Sequence, residues 1–103
     1  MVRRTTMALV RRGLGRTRGL GFLVTWDVDS KDRSRADRLF VFIWGKTVRK
    51  GDRLYVYEGF VRKEGVRYIG QSVLFVHPHR LAELVNFLEK CGVDHAIDRV
   101  AFF

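Results

Sequence analysis

Cysteine, proline and the side-chain amides are nearly missing from this chain of 103 residues: Cys91, Pro78, Asn86 and Gln71 each stand alone. A lone cysteine excludes an internal disulfide and any CxxC-type zinc or redox motif, which points to a reducing, cytoplasmic setting. Scarce amides beside 30% charged residues resemble the composition of thermophile proteins. No stretch approaches the roughly 20 apolar residues that span a bilayer, so no membrane partner is expected. Met1–Leu20 begins with charge but lacks the sustained apolar core of a secretion signal. Walker-type loops, Ser-His-Asp arrangements and HExxH are also absent. Acids are missing from one region only: residues 1–20 hold six arginines and neither Asp nor Glu.

What is present describes one folded domain. A hydrophobic content of 47% with eight Phe suits a globule with a single core. The formal net charge of +9 is uneven, because the six arginines of residues 1–20 leave only +3 for residues 21–103. The chain therefore divides into a basic extension, 1–20, and a domain, 21–103. Arg3, Arg4, Arg11, Arg12, Arg16 and Arg18 suit nucleic-acid phosphates, DNA or RNA, since each contact releases condensed counterions. A solvated terminus is the competing interpretation. A short helix over Thr5–Arg12 is compatible with Met7–Val10, before Gly13 and Gly15 break it.

Gly21–Trp26 is uncharged, aromatic and β-branched, and it reads as a buried strand ending on Asp27. Asp29 or Ser30 then caps a helix, with Asp32 in its first turn. Ala36, Leu39, Phe40 and Ile43 recur at i, i+3, i+4 and i+7, and Gly45 stops the helix. The alternative for Leu39–Trp44 is a strand, from its residue types. Lys46–Arg53 reads as a basic loop, with Arg49, Lys50 and Arg53 as further phosphate contacts. Arg53–Arg62 and Val66–His77 read as two strands around a Lys63-Glu64-Gly65 turn. Pro78 opens a second helix with Leu81, Leu84, Val85 and Leu88 as its apolar stripe, Gly92 ends it, and Asp94–Phe103 closes the chain as a strand. This order is the α+β, ferredoxin-like βαββαβ plan: a four-stranded antiparallel sheet with two helices on one face.

Asp27 is the candidate catalytic and metal-binding residue. A carboxylate at a strand end is a hard ligand for Mg²⁺ or Mn²⁺, which can clamp a phosphodiester. One carboxylate does not complete such a site, and a homodimer would bring a second Asp27 to it. The structural alternative is that Asp27 and Asp29 cap the helix and pair with Arg33. His77 and His79 flank Pro78, but no third or fourth ligand has zinc-site spacing, so capping or exposure is the simpler role. Tyr55, Tyr57, Phe60 and Tyr68 suit base stacking, packing, or burial in a dimer.

Several short motifs carry a resemblance. Trp26-Asp27-Val28-Asp29-Ser30 before an Arg-rich helix, Trp44-Gly45, and Gly70-Gln71-Ser72-Val73-Leu74-Phe75 before Pro78 and Leu81-Ala82-Glu83-Leu84 are similar to the small CRISPR adaptation subunit, the second core CRISPR-associated protein. Residues 46–70 stand where that family has only a few residues, and the family lacks the basic extension. The resemblance implies a symmetric dimer with Asp27 near a shared metal. It implies either metal-dependent nucleic-acid cleavage or a structural role beside an integrase-type partner. The alternative is a noncatalytic DNA-binding, regulatory or assembly module, viral or archaeal, on the same fold.

Overall fold

The computed structural model describes residues 18–103 apart from Ser30. The sequence-predicted helix at Thr5–Arg12 and Arg3, Arg4, Arg11, Arg12 and Arg16 lie outside the described residues. Strand β1 (Gly19–Asp27) is followed by helix α1 (Arg33–Trp44), then by β2 (Gly45–Lys50) and β3 (Arg53–Glu58). A 3₁₀ turn (Phe60–Arg62) leads into β4 (Val66–Gly70), β5 (Val73–Val76), helix α2 (Pro78–Lys90) and β6 (Asp94–Phe102). The protein is α+β: β4, β5, β1 and β6 form a four-stranded antiparallel sheet in that order, and β2 and β3 form a separate two-stranded sheet. None of the described helices is long and apolar enough to cross a membrane.

Alternation along β1 divides the main sheet into two faces. Phe22, Val24 and Trp26 meet Leu74 and Val76 of β5, Leu39 and Ile43 of α1, and Leu84 and Leu88 of α2 in one core. Phe42 ties the helices together, stacking on Phe87 at 3.9 Å and on Phe60 at 5.2 Å between centroids. Phe40, expected on the buried stripe of α1, is instead 37% exposed. On the opposite face Phe75 is fully buried, with Phe102 edge-on at 4.8 Å and the Arg67 guanidinium 4.2 Å from the Phe102 centroid. Gly21 makes that packing possible, because a Cβ there would lie 2.6 Å from the Phe75 ring.

Two expectations about elements are corrected. Lys46–Arg53 is not a loop: Gly45–Lys50 pairs residue for residue with Arg53–Glu58, from Gly45 opposite Glu58 to Lys50 opposite Arg53. The sheet hairpin does not turn at Lys63-Glu64-Gly65, since the run from Val66 divides into β4 and β5 around Gln71-Ser72, with a bulge at Tyr68/Gly70. Phe60 and Val61, expected on opposite faces of a strand, are both buried from the 3₁₀ turn. Helix α1, by contrast, prevails over the strand alternative at Leu39–Trp44 and stops at Gly45, whose φ is +80°.

The helix cap is also reassigned. Asp32, not Asp29 or Ser30, is the N-cap of α1, its Oδ1 accepting from the Arg35 backbone N–H at 3.1 Å. Asp29 instead closes a short turn, accepting from the Lys31 N–H at 2.9 Å. Arg35, rather than Arg33, makes the local ion pair, with Asp32 at 3.3 Å, and donates to the Gly92 carbonyl at 3.2 Å. Arg35 thereby straps the start of α1 to the turn before β6.

Candidate nucleic-acid interface

The β2–β3 ribbon leaves the body of the protein at a backbone crossing. Gly45 and Gly59 pass so closely that a Cβ on either would collide with the other strand's backbone. Beyond that root every residue of β3 is exposed, so neither face of the ribbon is covered by the core. Gly51, at φ +61°, makes the tip. The two six-residue strands extend about 20 Å, at roughly 3.3 Å per residue.

Register sorts the ribbon's side chains. Lys46, Val48 and Lys50 share one face with Arg53, Tyr55 and Tyr57; Thr47 and Arg49 share the other with Leu54 and Val56. The first face combines three cations with two phenol rings, and the Lys46 ammonium lies 5.7 Å from the Tyr57 centroid. The acids on the ribbon are Asp52 at the tip and Glu58 at the root. Leu54, Val56 and Tyr57 are 59%, 64% and 54% exposed, an arrangement that a merely solvated hairpin does not need. Arg49, Lys50 and Arg53, expected as phosphate contacts, are thus gathered on one projecting element, and Lys46 joins them. Arg18 is exposed at the start of β1, beside the His77 side chain, whose Nε2–H donates to the Arg18 carbonyl at 2.8 Å.

Behind the ribbon's root lies a pocket of about 520 Å³ that the sequence did not disclose. Trp26, Phe40, Trp44, Tyr68, Gln71 and Ser72 line it, from β1, α1, β4 and the β4–β5 turn. The Trp44 and Tyr68 rings are 5.2 Å apart and inclined at 54°. The available signal was the aromatic spacing of α1, where Phe40 and Trp44 are one turn apart.

Asp27 is exposed at the end of β1, directly opposite Asp94 on β6. Together with Asp29 and Arg35 they line a depression, and neither Asp27 nor Asp94 pairs with a cation among the described residues. No group of three or more His, Cys, Asp or Glu among the described residues is arranged to hold a metal. The histidines do not converge on it. His95 donates from Nδ1 to the Val93 carbonyl at 2.9 Å, and the His77 and His79 rings, 5.9 Å apart, flank Gly65. His77 occupies the N-cap position of α2 without a side-chain capping bond. Comparison with protein families, curated proteins and solved structures finds no match.

Proposed function

We propose that this chain is a nucleic-acid-binding domain that grips phosphates with the β2–β3 ribbon and the Arg-rich extension, on a ferredoxin-like plan. With the ribbon set aside, the main sheet retains the βαββαβ order, its outer strands β4 and β6 flanking β5 and β1. The ribbon accounts for much of residues 46–70, where the CRISPR adaptation family has only a few residues. The observation that carries the proposal is the basic, tyrosine-bearing face of the ribbon, exposed beyond the close Gly45–Gly59 crossing. A two-stranded ribbon is an element that the DNA major groove admits, and its cations meet phosphates whatever the sequence. A second copy of the chain covers the sheet face away from the helices, where Leu23, Thr25 and Val73 are half-buried. A cytoplasmic location accords with buried, unbridged Cys91.

The test is a salt titration of duplex binding by fluorescence anisotropy. Replacing Lys46, Arg49, Lys50 and Arg53 together by Gln should flatten the slope of log K against log salt by about 3.6, at roughly 0.9 per phosphate contact. Affinity at about 0.1 M salt should fall tenfold or more. The positions are exposed, so the fold should be unaffected. An unchanged slope would remove the ribbon from the interface.

A second proposal, Mg²⁺- or Mn²⁺-dependent cleavage, is favoured by the Asp27–Asp94 pair. Two facing carboxylates without a cation repel, and Mg²⁺ takes one or two carboxylates with water and substrate oxygens. Asp27 and Asp94 would hold the ion, and the remaining ligands would come from the nucleic acid or a second copy. A bound ion would supply Lewis-acid polarisation of the phosphodiester. Asp27→Asn should abolish metal-dependent cleavage while leaving binding intact; full cleavage by that variant would reassign the activity to another site or a contaminant.

A further inference from the structure

We infer that the pocket at the root of the ribbon takes one unpaired nucleobase, so that the preferred ligand is a single strand or a nucleotide turned out of a duplex. This rests on the nucleic-acid proposal above and specifies its ligand class. At about 520 Å³ the pocket falls within the range of small-molecule sites and exceeds what one base requires. Trp26, 8% exposed, lies in the core behind it, while Phe40, Trp44 and Tyr68 border it with rings that remain partly accessible. Phe40 and Trp44 are 6.5 Å apart at 42°, and Trp44 and Tyr68 are 5.2 Å apart at 54°. Both pairs are tilted contacts rather than parallel stacks, and a flat guest would meet the parts of the rings that remain accessible.

The chemistry of the rim narrows the guest. No ionised side chain lines the pocket, so a charged group would lose hydration there without a counter-charge. A nucleobase is neutral, and its phosphates would remain outside. There the strand that leaves Trp44 carries Lys46, Arg49 and Lys50. The polar groups of the lining include the Gln71 amide and the Ser72 hydroxyl, neither engaged by another described side chain, beside the Tyr68 hydroxyl and the Trp44 indole N–H. An amide supplies a donor and an acceptor side by side, the pattern with which Gln reads a base edge. Aromatic faces beside such a group, next to a cationic backbone track, are the recurring arrangement for unstacked bases. A base inside a duplex cannot reach the pocket, which separates this ligand from the ribbon's phosphate contacts.

Both tryptophans of the chain, Trp26 and Trp44, line this pocket, so intrinsic fluorescence reports its occupancy. The experiment titrates the full chain with three unlabelled probes of about ten nucleotides: a base-bearing single strand, an abasic strand of equal charge, and a blunt duplex. Competition against a labelled strand gives the affinities. The base-bearing strand should change tryptophan emission and bind about tenfold more tightly than the abasic strand. The abasic strand and the duplex should bind without that change. Gln71→Ala, at an exposed turn, should weaken the base-bearing strand severalfold and leave the abasic strand unaffected. Equal affinities for the base-bearing and abasic strands would overturn the pocket and leave the ribbon's phosphate role standing. Tighter binding of the base-bearing strand with unchanged emission would assign stacking to Tyr55 and Tyr57 and also overturn the pocket. Failure of all three probes to bind would overturn both proposals.

Discussion

Gly45 and Gly51 lie at the two ends of the ribbon, and both have positive φ for different reasons. At Gly45 (φ +80°) a Cβ would meet the Tyr57 carbonyl and the Gly59 backbone; at Gly51 (φ +61°) nothing lies within 4 Å. Gly51→Ala should therefore cost only backbone strain, about 1 kcal/mol. Gly45→Ala should cost at least 2 kcal/mol, since strain is joined by a collision that neither strand can relieve. Urea unfolding of the two variants checks the difference, and equal midpoints would contradict the crossing. At this scale the sequence was legible where chemistry is local: Gly45 as a helix stop and Pro78 as a helix start both stand in those roles. The cap was displaced from Asp29 or Ser30 to Asp32, because several neighbouring acids satisfy the same preference and only chain direction selects one.

Among the elements, both helices were legible because each buries one face and so writes a period into the sequence, and β1 was legible from its uncharged run of β-branched and aromatic residues. In the ribbon, β3 was legible from its residue types, but β2 writes no period. Both of its faces meet solvent, so Lys46–Lys50 shows no apolar alternation and reads as a basic loop. Phe60 and Val61 misled in the other direction: their apolar character suggested a strand, but a 3₁₀ turn buries both. The root pocket was hidden because its rings come from β1, α1 and β4, which only the fold brings together. Since the Gly45 and Gly59 backbones are already in contact, excising residues 46–57 and rejoining the chain through a short glycine linker should leave the core folded. Circular dichroism and a melting temperature within a few degrees of the parent should show this. Loss of cooperative unfolding would mean that the ribbon supports the core.

At the level of the whole molecule, charge and the helix-free sheet face point to different partners. The excess of +9 lies mostly in residues 1–20 and favours a polyanion. The face bearing Leu23, Thr25 and Val73 is half-covered and mixed, with Asp98 opposite Leu23 and Arg67 opposite Phe75, and the proposed second copy would meet it there. Leu23→Asp should convert a dimer into a monomer in sedimentation equilibrium while the helical core remains folded. A wild-type chain that sediments as a monomer at all concentrations would remove the dimer, and with it the shared-metal arrangement at Asp27.

The ribbon-excised chain offers the most direct measurement of all: its affinity for nucleic acid beside that of the full chain, followed by anisotropy across a salt series. The expected result is a folded protein whose affinity at about 0.1 M salt is tenfold or more lower, with a salt slope flatter by about 3.6. A folded, ribbon-less chain that binds with the parent's affinity and slope would contradict the interface.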